Sequence, residues 1–446
     1  MKLPEIPPKV EFKMPEDGKI FFELIQDIEM NQELHEIDKN YPYWEQFKQK
    51  IKSSKYDPAL LWYYNKLSRT KNLSSIVISD LPGFDFKYST TSKILKYLHE
   101  FDLHLGGLLE GRSIIPPEEK NRYLISSIME EAIASSQLEG AATTREIAKE
   151  MLRTNRKPTN HSEKMILNNY VTMKRAIEIK DKKITKELIL ELHKMISKDT
   201  LKNKEYEGKF RDSNDIKVVD NTTGEIFYTP PDYKSIEALM DCFCRFANSA
   251  DETEFIHPII KGIILHFLIG YIHPFVDGNG RAARTLFYWY LLQRGYWLVE
   301  YMAISKIIIR APAKYGRSFL HSEYDENDLT YFISYNLTCM DLALSSLQKY
   351  IHRKVSEKQN LFNLIKHENI NERQAEILRS LIIDNQKSLS IKGIESKFGV
   401  VYQTARTDLL GLEQLGYIKE KKFGKKLIFF KVDDFENKLK KVRELI

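Results

Sequence analysis

The sequence of this 446-residue chain predicts a mainly α-helical protein with one β-hairpin and a C-terminal winged helix-turn-helix domain. From about residue 90, apolar residues recur at three- and four-residue spacing, which is the pattern of amphipathic helices. Residues 216–228 break this pattern with the short runs KVV and IFY around Asn-Thr-Thr-Gly, which predicts a hairpin with its turn near Gly224. From about residue 370, three helical patterns precede a lysine-rich hairpin, and this order is typical of a winged helix.

The length of the chain predicts more than one domain, because it exceeds what a single hydrophobic core usually contains. We expect a mostly helical N-terminal extension over 1–89, a helical region over 90–180, a core over 181–350 and the winged helix over 365–446. The predicted helix 258–272 is apolar nearly all round, so we expect it to lie at the centre of the core.

Composition favours a protein of a reducing compartment. The three cysteines, Cys242, Cys244 and Cys339, offer neither a disulfide framework nor a zinc-binding spacing. The sequence begins MKLPEIPPKVEFKM, which lacks the apolar segment of a signal peptide, and the longest apolar run, 262–272, is too short to span a bilayer. We therefore expect a cytoplasmic protein with no membrane partner.

Residues 267–287, FLIGYIHPFVDGNGRAARTLF, place many polar and flexible groups between two apolar helices. The first helix is expected to end near His273, because Pro274 cannot continue it, and the second to begin around Arg281. The Asp-Gly-Asn-Gly sequence at 277–280 therefore precedes a helix N-terminus, where backbone N–H groups and the helix dipole favour an anion. Because glycine allows a ligand to approach the backbone closely, this segment is expected to bind phosphate.

Two arginines follow on the first turn of the second helix. Arg281 and Arg284 lie three residues apart, with the small residues Ala282 and Ala283 between them, so both guanidinium groups are expected on one side. Two such groups suit more than one phosphate. Asp277 would repel a bare phosphate, and its presence therefore indicates a bridging divalent cation, most simply Mg²⁺.

His273 is the group of this segment that can exchange a proton near neutral pH. A base, a metal-binding carboxylate, an anion-binding backbone and two arginines form a set suited to phosphoryl or nucleotidyl transfer. The sequence contains no Walker A pattern, so it does not predict a P-loop enzyme.

The segment HPFVDGNGRAAR resembles the signature of the Fic family, HPFxDGNGRxxR, and matches it at every fixed position. The sequence GKFR at 208–211 is similar to the G-x-F/Y-R element of the family, and the predicted hairpin 216–228 resembles its flap. The resemblance covers about residues 90–345. It implies a helical Fic-type core that transfers AMP from ATP to a hydroxyl group of a target protein and releases pyrophosphate.

The resemblance also implies a role for each matched residue. His273 would accept the proton of the attacking hydroxyl, Asp277 would hold Mg²⁺ between the α- and β-phosphates, and Arg284 would bind the γ-phosphate. The other residues implied to bind ATP are Gly278, Asn279, Gly280, Arg281, Ala282 and Ala283, with Arg281 on the β-phosphate side. Segment 305–316 offers an apolar wall and Tyr315 as the candidate adenine pocket.

Residues 135–140 place a carboxylate where a helix disfavours it. Glu139 falls in the last turn of a predicted helix, beside the negative end of the helix dipole, and Gly140 is the expected C-cap. The pattern Ser135-x-x-x-Glu139-Gly140 resembles the inhibitory motif of the Fic family, [S/T]-x-x-x-E-[G/N]. The resemblance implies that Glu139 pairs with Arg284 and blocks the γ-phosphate, so we expect an autoinhibited enzyme.

The predicted hairpin offers a place for the target protein. Its residues Lys217, Val218 and Val219 could pair with a segment of the target and bring a Tyr, Thr or Ser hydroxyl to His273. Self-modification is also expected, because the chain's own hydroxyl groups are at high local concentration. The sequence leaves open whether two copies form a homodimer.

Basic residues are concentrated in the C-terminal tail. The net charge of the chain is +6, and residues 370–446 hold 16 Lys and Arg against 11 Asp and Glu. The candidate DNA contacts are Tyr402, Gln403, Thr404 and Arg406 at the start of the predicted recognition helix, with Lys422 and Lys425 in the hairpin. They suit a helix in the major groove of duplex DNA and a wing on its phosphates. The same domain could contact protein instead, so the sequence leaves both partners open.

Three other functions remain open at the level of sequence. The same site could run the reverse reaction, with Glu139 orienting a water that removes AMP from a modified protein. A DNA-bound regulator could use the site only to sense a nucleotide, although sensing needs no base such as His273. A different donor, such as a CDP-linked group, would leave Arg284 without its γ-phosphate.

Overall fold

The computed structural model describes residues 2–9, 16–52, 55–106, 120–219, 224–249, 255–368, 370–383, 388–423, 426–432 and 434–435. The chain divides into two compact units, Met1–Leu347 and Gln348–Ile446. Within the described residues, no helix is both long and apolar enough to cross a membrane.

The N-terminal region consists of helices and one hairpin. The helices are α1 (Glu16–Gln26), α2 (Ile28–Asp38), α3 (Trp44–Lys50) and α4 (Pro58–Thr70), and the antiparallel strands are β1 (Leu73–Val77) and β2 (Asp85–Ser89). Asp27 and Asp57 cap α2 and α4, because their carboxylates accept hydrogen bonds from backbone N–H groups of the first turn. The sequence prediction for residues 1–89 lacks the β1–β2 hairpin.

The next region is helical, as the apolar spacing predicts. Its helices are α5 (Ser92–Leu105), α6 (Lys120–Leu138), α7 (Arg145–Thr154), α8 (His161–Glu178) and α9 (Lys186–Ser197). Helix α6 ends at Leu138, so Glu139 lies in the turn after the helix rather than in its last turn. Gly140 has a φ of 92°, a left-handed conformation that glycine adopts without strain.

The core contains the predicted hairpin and six more helices. The strands are β3 (Val218–Val219) and β4 (Ile226–Tyr228), and the helices are α10 (Ile236–Asn248), α11 (Pro258–Ile272), α12 (Asn279–Gln293), α13 (Ser305–Ile308), α14 (Pro312–Tyr324) and α15 (Thr330–Glu368). Helix α11 is central, since 12 of its 15 residues are buried. Helix α12 begins two residues before the predicted start, because Gly278, with a φ of 88°, is its N-cap.

Buried charges join the N-terminal helices to the end of the core. Arg69 of α4 is buried; its Nη1 donates to the hydroxyl of Tyr331 over 2.9 Å, and its Nη2 lies 2.7 Å from Asp38 Oδ1. Lys66 Nζ lies 2.8 Å from Asp325 Oδ2. Because a buried charge without a partner is costly, these contacts fix α4 against the residues around the start of α15.

The second unit combines three helices with a small sheet. Its elements are α16 (Glu372–Ile383), β5 (Ser388–Ser390), α17 (Ile391–Phe398), α18 (Tyr402–Gln414), β6 (Ile418–Phe423) and β7 (Lys426–Lys431). The sheet is antiparallel, in the order β5-β7-β6. Leu378, Leu409 and Phe429 are fully buried in a hydrophobic core that belongs to this unit. The three helices and the hairpin follow the predicted order, and the structure adds β5.

Candidate active site

The turn between α11 and α12 carries His273 in a strained conformation. His273 has a φ of 50° and is the C-cap of α11, a left-handed position that is uncommon for a residue other than glycine. Arg211 holds this turn, because its Nε donates to His273 O over 3.0 Å and its backbone N–H donates to Pro274 O over 2.9 Å. The GKFR sequence therefore supports the loop from outside.

The imidazole of His273 is oriented with one nitrogen free. Its Nδ1 lies 3.3 Å from Gly270 O, so Nδ1 is the nitrogen that carries the proton and donates. No described residue hydrogen-bonds Nε2, and Nε2 can therefore accept a proton. Burial lowers the pKa of His273 below its ordinary value, so the ring is neutral at neutral pH.

Asn279 uses its side chain within the loop. Its Oδ1 accepts from Phe275 N over 2.9 Å and its Nδ2 donates to Phe275 O over 2.8 Å. The backbone N–H groups of Asn279 and Gly280 lie at the start of α12, where they have no partner within the helix. The anion-binding group at Asn279 is thus its backbone, because its amide closes the turn.

His193 of α9 supports the loop from the opposite side, and sequence analysis missed it. Gly208 N donates to its Nδ1 over 3.1 Å, so Nε2 bears the proton and donates to Asp277 O over 2.9 Å. The ring stacks on Phe275 with centroids 3.7 Å apart. Burial lowers the pKa of His193 to about 4, so the ring stays neutral and keeps both hydrogen bonds. A histidine on one face of a predicted helix gave no signal of this role.

Arg281 is fully buried beside the loop. Its Nη1 donates to Ile196 O over 3.2 Å, and its Nη2 lies 3.6 Å from Asp277 Oδ2. Its Nε and Nη2 have no hydrogen-bond partner among the described residues. A buried guanidinium with unused donors is unfavourable by itself, which is consistent with an anion binding nearby.

Arg284 is held by two of the three residues that define the predicted inhibitory motif. Its Nε donates to Ser135 Oγ over 2.8 Å, and its Nη2 donates to Ser135 O over 2.9 Å and to Glu139 Oε1 over 2.8 Å. Its Nη1 has no hydrogen-bond partner among the described residues. The guanidinium is buried and the Glu139 carboxylate is 28% exposed, so this ion pair lies at the wall of an open space.

Glu139 also lies directly over the start of α12. A Cβ atom at Gly280 would clash with Glu139 Oε1, so glycine is required for the carboxylate to come this close. The carboxylate therefore occupies the place where the positive end of the helix dipole and the free backbone N–H groups favour an anion. Glu139 and a phosphate group would compete for the same position.

These groups line a cavity of about 220 Å³, far larger than the ~10–15 Å³ that one water molecule needs. The motif residues on its wall are His273, Asn279, Gly280, Ala283 and Arg284. Glu139, Val218, Tyr315 and Glu323 are among the other lining residues. Sequence analysis missed Glu323.

Other predicted site residues lie around this cavity without lining it. These are Asp277, Gly278, Arg281 and Ala282 in the loop and first turn, Ser135 and Gly140 on either side of Glu139, and Lys217 and Val219 at the flap. Lys217 precedes β3 and is exposed, as is Val219. Tyr315 lies within the wall, where its hydroxyl is 2.7 Å from Nε2 of the buried His266 and burial raises its pKa to about 12.

Asp277 is the candidate metal ligand. Its side chain is 51% exposed, and its Oδ1 accepts from Gly278 N over 2.6 Å. The described residues contain no cluster of three or more His, Cys, Asp or Glu side chains that could hold a metal ion. A single exposed carboxylate fits Mg²⁺ that arrives with a nucleotide, because this ion commonly takes one or two carboxylates together with phosphate oxygens and water.

The predicted DNA contacts of the second unit lie at the start of α18. Tyr402, Gln403 and Arg406 are exposed there, Thr404 is half-buried, and Lys422 is exposed in β6. Lys425 lies outside the described residues.

Residues 183–291, which hold α9 to α12 and the flap, match the Fic/DOC family. This segment of the chain is similar to a Fic domain. Over 119 residues the chain is 29% identical to "Protein adenylyltransferase Fic" of Nematostella vectensis, across 27% of this chain and 26% of that protein. Over 69 residues it is 38% identical to the protein of the same name from Drosophila melanogaster, across 16% of this chain and 14% of that protein. The match thus spans about a quarter or less of the length of these curated relatives.

Solved structures of Fic proteins resemble the chain more loosely. A Fic family protein from Desulfovibrio desulfuricans aligns with 78% of this chain and 98% of its own, with a TM-score of 0.49 and 19% identity. Fic-1 from C. elegans aligns with 77% of this chain and 89% of its own, with a TM-score of 0.49 and 18% identity. The prediction of a mainly α-helical chain with a Fic-type core and a hairpin is confirmed.

Proposed function

We propose that this Fic protein is a protein adenylyltransferase, which transfers AMP from ATP to a hydroxyl side chain of a target protein and releases pyrophosphate. The observation that carries this proposal is the set of groups that line one cavity. It brings together the free Nε2 of His273, the N-terminus of α12 at Gly280 and the buried Arg284. The names of the relatives, which are protein adenylyltransferases, support the same activity.

In the proposed reaction, His273 Nε2 takes the proton of the target hydroxyl as the hydroxyl oxygen attacks the α-phosphorus. A phosphorus–oxygen bond forms to the target, the bond from the α-phosphorus to the β-phosphate oxygen breaks, and pyrophosphate leaves. Arg284 would bind the γ-phosphate through donors that now contact Glu139, and the backbone at Gly280 would bind the adjacent phosphate oxygens. The chain would thus act mainly by positioning its substrates and stabilising charge.

Asp277 would hold Mg²⁺ at the phosphates, since its carboxylate is exposed next to the anion-binding backbone. The bound cation would neutralise charge that develops on the leaving pyrophosphate. His193 and Arg211 would keep Asp277 and His273 in place through their hydrogen bonds to the loop backbone.

We further propose that the chain is autoinhibited by Glu139. In the structure its carboxylate holds an Nη2 donor of Arg284 and covers the N-terminus of α12. A γ-phosphate would compete with Glu139 for Nη2 of Arg284, so the unmodified chain would transfer AMP slowly.

The test is transfer of label from ATP that is radiolabelled on the α-phosphate, with Mg²⁺ present. The wild type is compared with Glu139→Gly and with Glu139→Gly combined with His273→Ala. We expect weak labelling of protein in the wild type, at least roughly tenfold more in Glu139→Gly, and none in the double variant. Labelling that is equal in all three proteins would contradict both the roles of Glu139 and His273 and the proposed activity.

The reverse reaction is a second candidate, favoured by the position of Glu139 beside His273 in the same cavity. There the carboxylate could orient a water for attack on an AMP-modified side chain. The outcome that favours this candidate is release of AMP from a modified protein by the wild type, with loss of that release in Glu139→Gly.

The proposed partners are ATP and a target protein that offers a Tyr, Thr or Ser hydroxyl, which can be the chain itself. The flap strand β3 would receive the target, because Val219 remains exposed there. The second unit would bind either duplex DNA or a protein, including a second copy of the chain, through the exposed start of α18.

A further inference from the structure

The cavity has a charged end and an apolar end. Glu139, Gly280 and Arg284 form the charged end, where the proposed function places the phosphates of the nucleotide. Helix α14 forms the wall that leads away from it, since Tyr315, Phe319 and Glu323 follow at four-residue spacing on one face. Eight residues of α-helix span roughly 12 Å, so Glu323 lies well beyond Tyr315 along this wall.

Tyr315 marks the charged end of this wall. The charges of Arg284 and Glu139 both act on its hydroxyl, and burial, which is the largest effect, raises its pKa to about 12. The charge of Glu323 acts instead on Tyr228 of the flap, on Tyr271 of α11 and on the adjacent Tyr324. Glu323 therefore lies at the end of the cavity opposite the phosphate position.

That end is otherwise apolar. Its lining includes Val218, Phe227, Phe319 and Leu320, which suit the faces of a planar aromatic base. The hydroxyl of Tyr228 is already committed, since it donates to Tyr271 O over 2.8 Å. Glu323 is the remaining polar side chain there, within the described residues that line the cavity.

Glu323 has no hydrogen bond or ion pair with any residue that the structure describes. Glu323 is half-buried, so a ligand that fills the cavity would remove its carboxyl group from water and would have to offer it a polar partner. Burial raises the pKa of Glu323 to about 8, so the group is mainly neutral at pH 7. A neutral carboxyl presents one O–H donor beside one C=O acceptor, as the side-chain amide of glutamine does.

We propose that Glu323 is the residue that recognises the base of the nucleotide, with its carbonyl oxygen accepting from the 6-amino group of adenine. Its O–H would donate to a ring nitrogen next to that amino group. Adenine offers this pair of a donor beside an acceptor, and the amides of Asn and Gln read it in the same way. The inference rests on the proposed nucleotide site but not on the transfer reaction.

The test is a binding cycle between Glu323 and the 6-amino group. Affinities are measured by calorimetry at about pH 7 for the full chain carrying Glu139→Gly and His273→Ala, which keeps the site open without turnover. The ligands are the Mg²⁺ complexes of ATP and of purine riboside triphosphate, which lacks the amino group. The variants added to this parent are Glu323→Leu, Glu323→Ala and Glu323→Gln, with Glu326→Gln as a control three residues away and outside the cavity.

We expect the parent and the Glu326→Gln control to bind ATP roughly tenfold more tightly than the analogue. Glu323→Gln should keep this preference, because its amide offers the same donor and acceptor. Glu323→Leu and Glu323→Ala should bind the two ligands equally, and their unchanged affinity for the analogue shows that the site is intact.

Two results would overturn the inference. One is a preference for ATP that survives in Glu323→Leu and Glu323→Ala, and the other is a preference that is lost in Glu323→Gln. A parent that binds neither ligand would overturn the proposed function together with this inference. A parent that binds ATP through Glu323 but never transfers AMP would refute the transferase alone.

Discussion

At the scale of single residues, the feature that matters most in the candidate site is the ion pair between Arg284 and Glu139. The guanidinium is buried, and Glu139 is the one carboxylate that hydrogen-bonds it in the described part of the chain. A buried guanidinium needs a nearby negative charge, so removal of Glu139 leaves the charge of Arg284 uncompensated. An incoming polyphosphate is the natural replacement for Glu139, because it also carries negative charge to the N-terminus of α12.

The substitution Glu139→Ala should therefore change the stability of the chain. Loss of the carboxylate should lower the free energy of unfolding by about 1–3 kcal/mol, because a charge-assisted hydrogen bond to a buried arginine is lost. Pyrophosphate should then raise the unfolding temperature of the variant more than that of the wild type, since it occupies the freed position. Thermal unfolding followed by circular dichroism, with and without pyrophosphate, measures both effects.

The matched control is Glu139→Gln, which keeps a hydrogen-bond acceptor for Arg284 but not the charge. We expect it to lie between the wild type and Glu139→Ala in stability and in the response to pyrophosphate. Equal stabilisation of all three proteins by pyrophosphate would show that Glu139 does not compete with the ligand.

The sequence makes the candidate residues of the loop easier to recognise than the residues that support the loop. Residues 273–284 are contiguous, so their chemistry can be read from one segment of the chain. The role of His193 depends on the loop backbone, 84 residues away, and on Phe275. The position of Glu323 depends on how α14 packs against the flap and α11, and no local pattern encodes such packing.

At the scale of elements, helix α6 links the proposed inhibitory residue Glu139 to the core. Glu131, Ser135 and Glu139 follow at four-residue spacing, so the first two lie on one face of the helix and the third just beyond its end. Glu131 is buried; its Oε2 accepts from Ser305 N over 2.9 Å and from the hydroxyl of Tyr288 over 3.0 Å. Burial raises the pKa of Glu131 above its ordinary value. The face that contacts Arg284 is therefore anchored to α12 and α13 one turn earlier.

This anchoring predicts that Glu131→Ala weakens the proposed inhibition by Glu139, although Glu131 does not contact Arg284 itself. The variant leaves the Ser305 and Tyr288 donors without their acceptor and should loosen α6, so that Glu139 holds Arg284 less firmly. We expect AMP transfer by the otherwise wild-type chain to rise by roughly threefold to tenfold. The measurement is the initial rate of label transfer from ATP that is radiolabelled on the α-phosphate.

The control is the same substitution in the Glu139→Gly background. There Glu131→Ala should not raise AMP transfer, because the inhibitory side chain of Glu139 is already absent. A fall of the same size in both backgrounds would mean that Glu131 only stabilises the fold.

Element boundaries followed from the sequence where a proline fixes them, whereas the start of α12 at the N-cap Gly278 lies two residues before its predicted position. The predicted helix 258–272 is α11, because Pro258 starts it and Pro274 prevents its continuation. The hairpin β1–β2 escaped prediction because its two short strands are joined by the seven residues 78–84 rather than by a two-residue turn. Phe86 and Tyr88 are buried in it against the core, which only the tertiary structure provides.

At the scale of the whole molecule, the proposed chemistry and the candidate DNA contacts belong to different compact units. All residues that line the cavity lie between Glu139 and Glu323, inside the first compact unit. Helix α18 and strand β6, with the exposed Arg406 and Lys422, belong to the second unit, which has its own core. Substitutions on α18 should therefore leave the cavity intact.

Binding of duplex DNA by the full chain is the prediction that tests the second unit. If α18 enters the major groove, fluorescence anisotropy with a labelled duplex should show binding that weakens steeply between about 50 and about 200 mM salt, as phosphate contacts require. Arg406→Glu should weaken binding roughly tenfold or more, because it places a negative charge at the phosphates.

Lys71→Glu serves as the matched control, since it makes the same change of charge at an exposed site in the first unit. It should leave DNA binding nearly unchanged, and both variants in the Glu139→Gly background should keep its rate of AMP transfer. If the full chain binds no duplex even at low salt, the exposed start of α18 must serve a protein contact instead. Sedimentation of wild type and Arg406→Glu would then show whether that contact is with a second copy of the chain, because a homodimer held through α18 would dissociate in the variant.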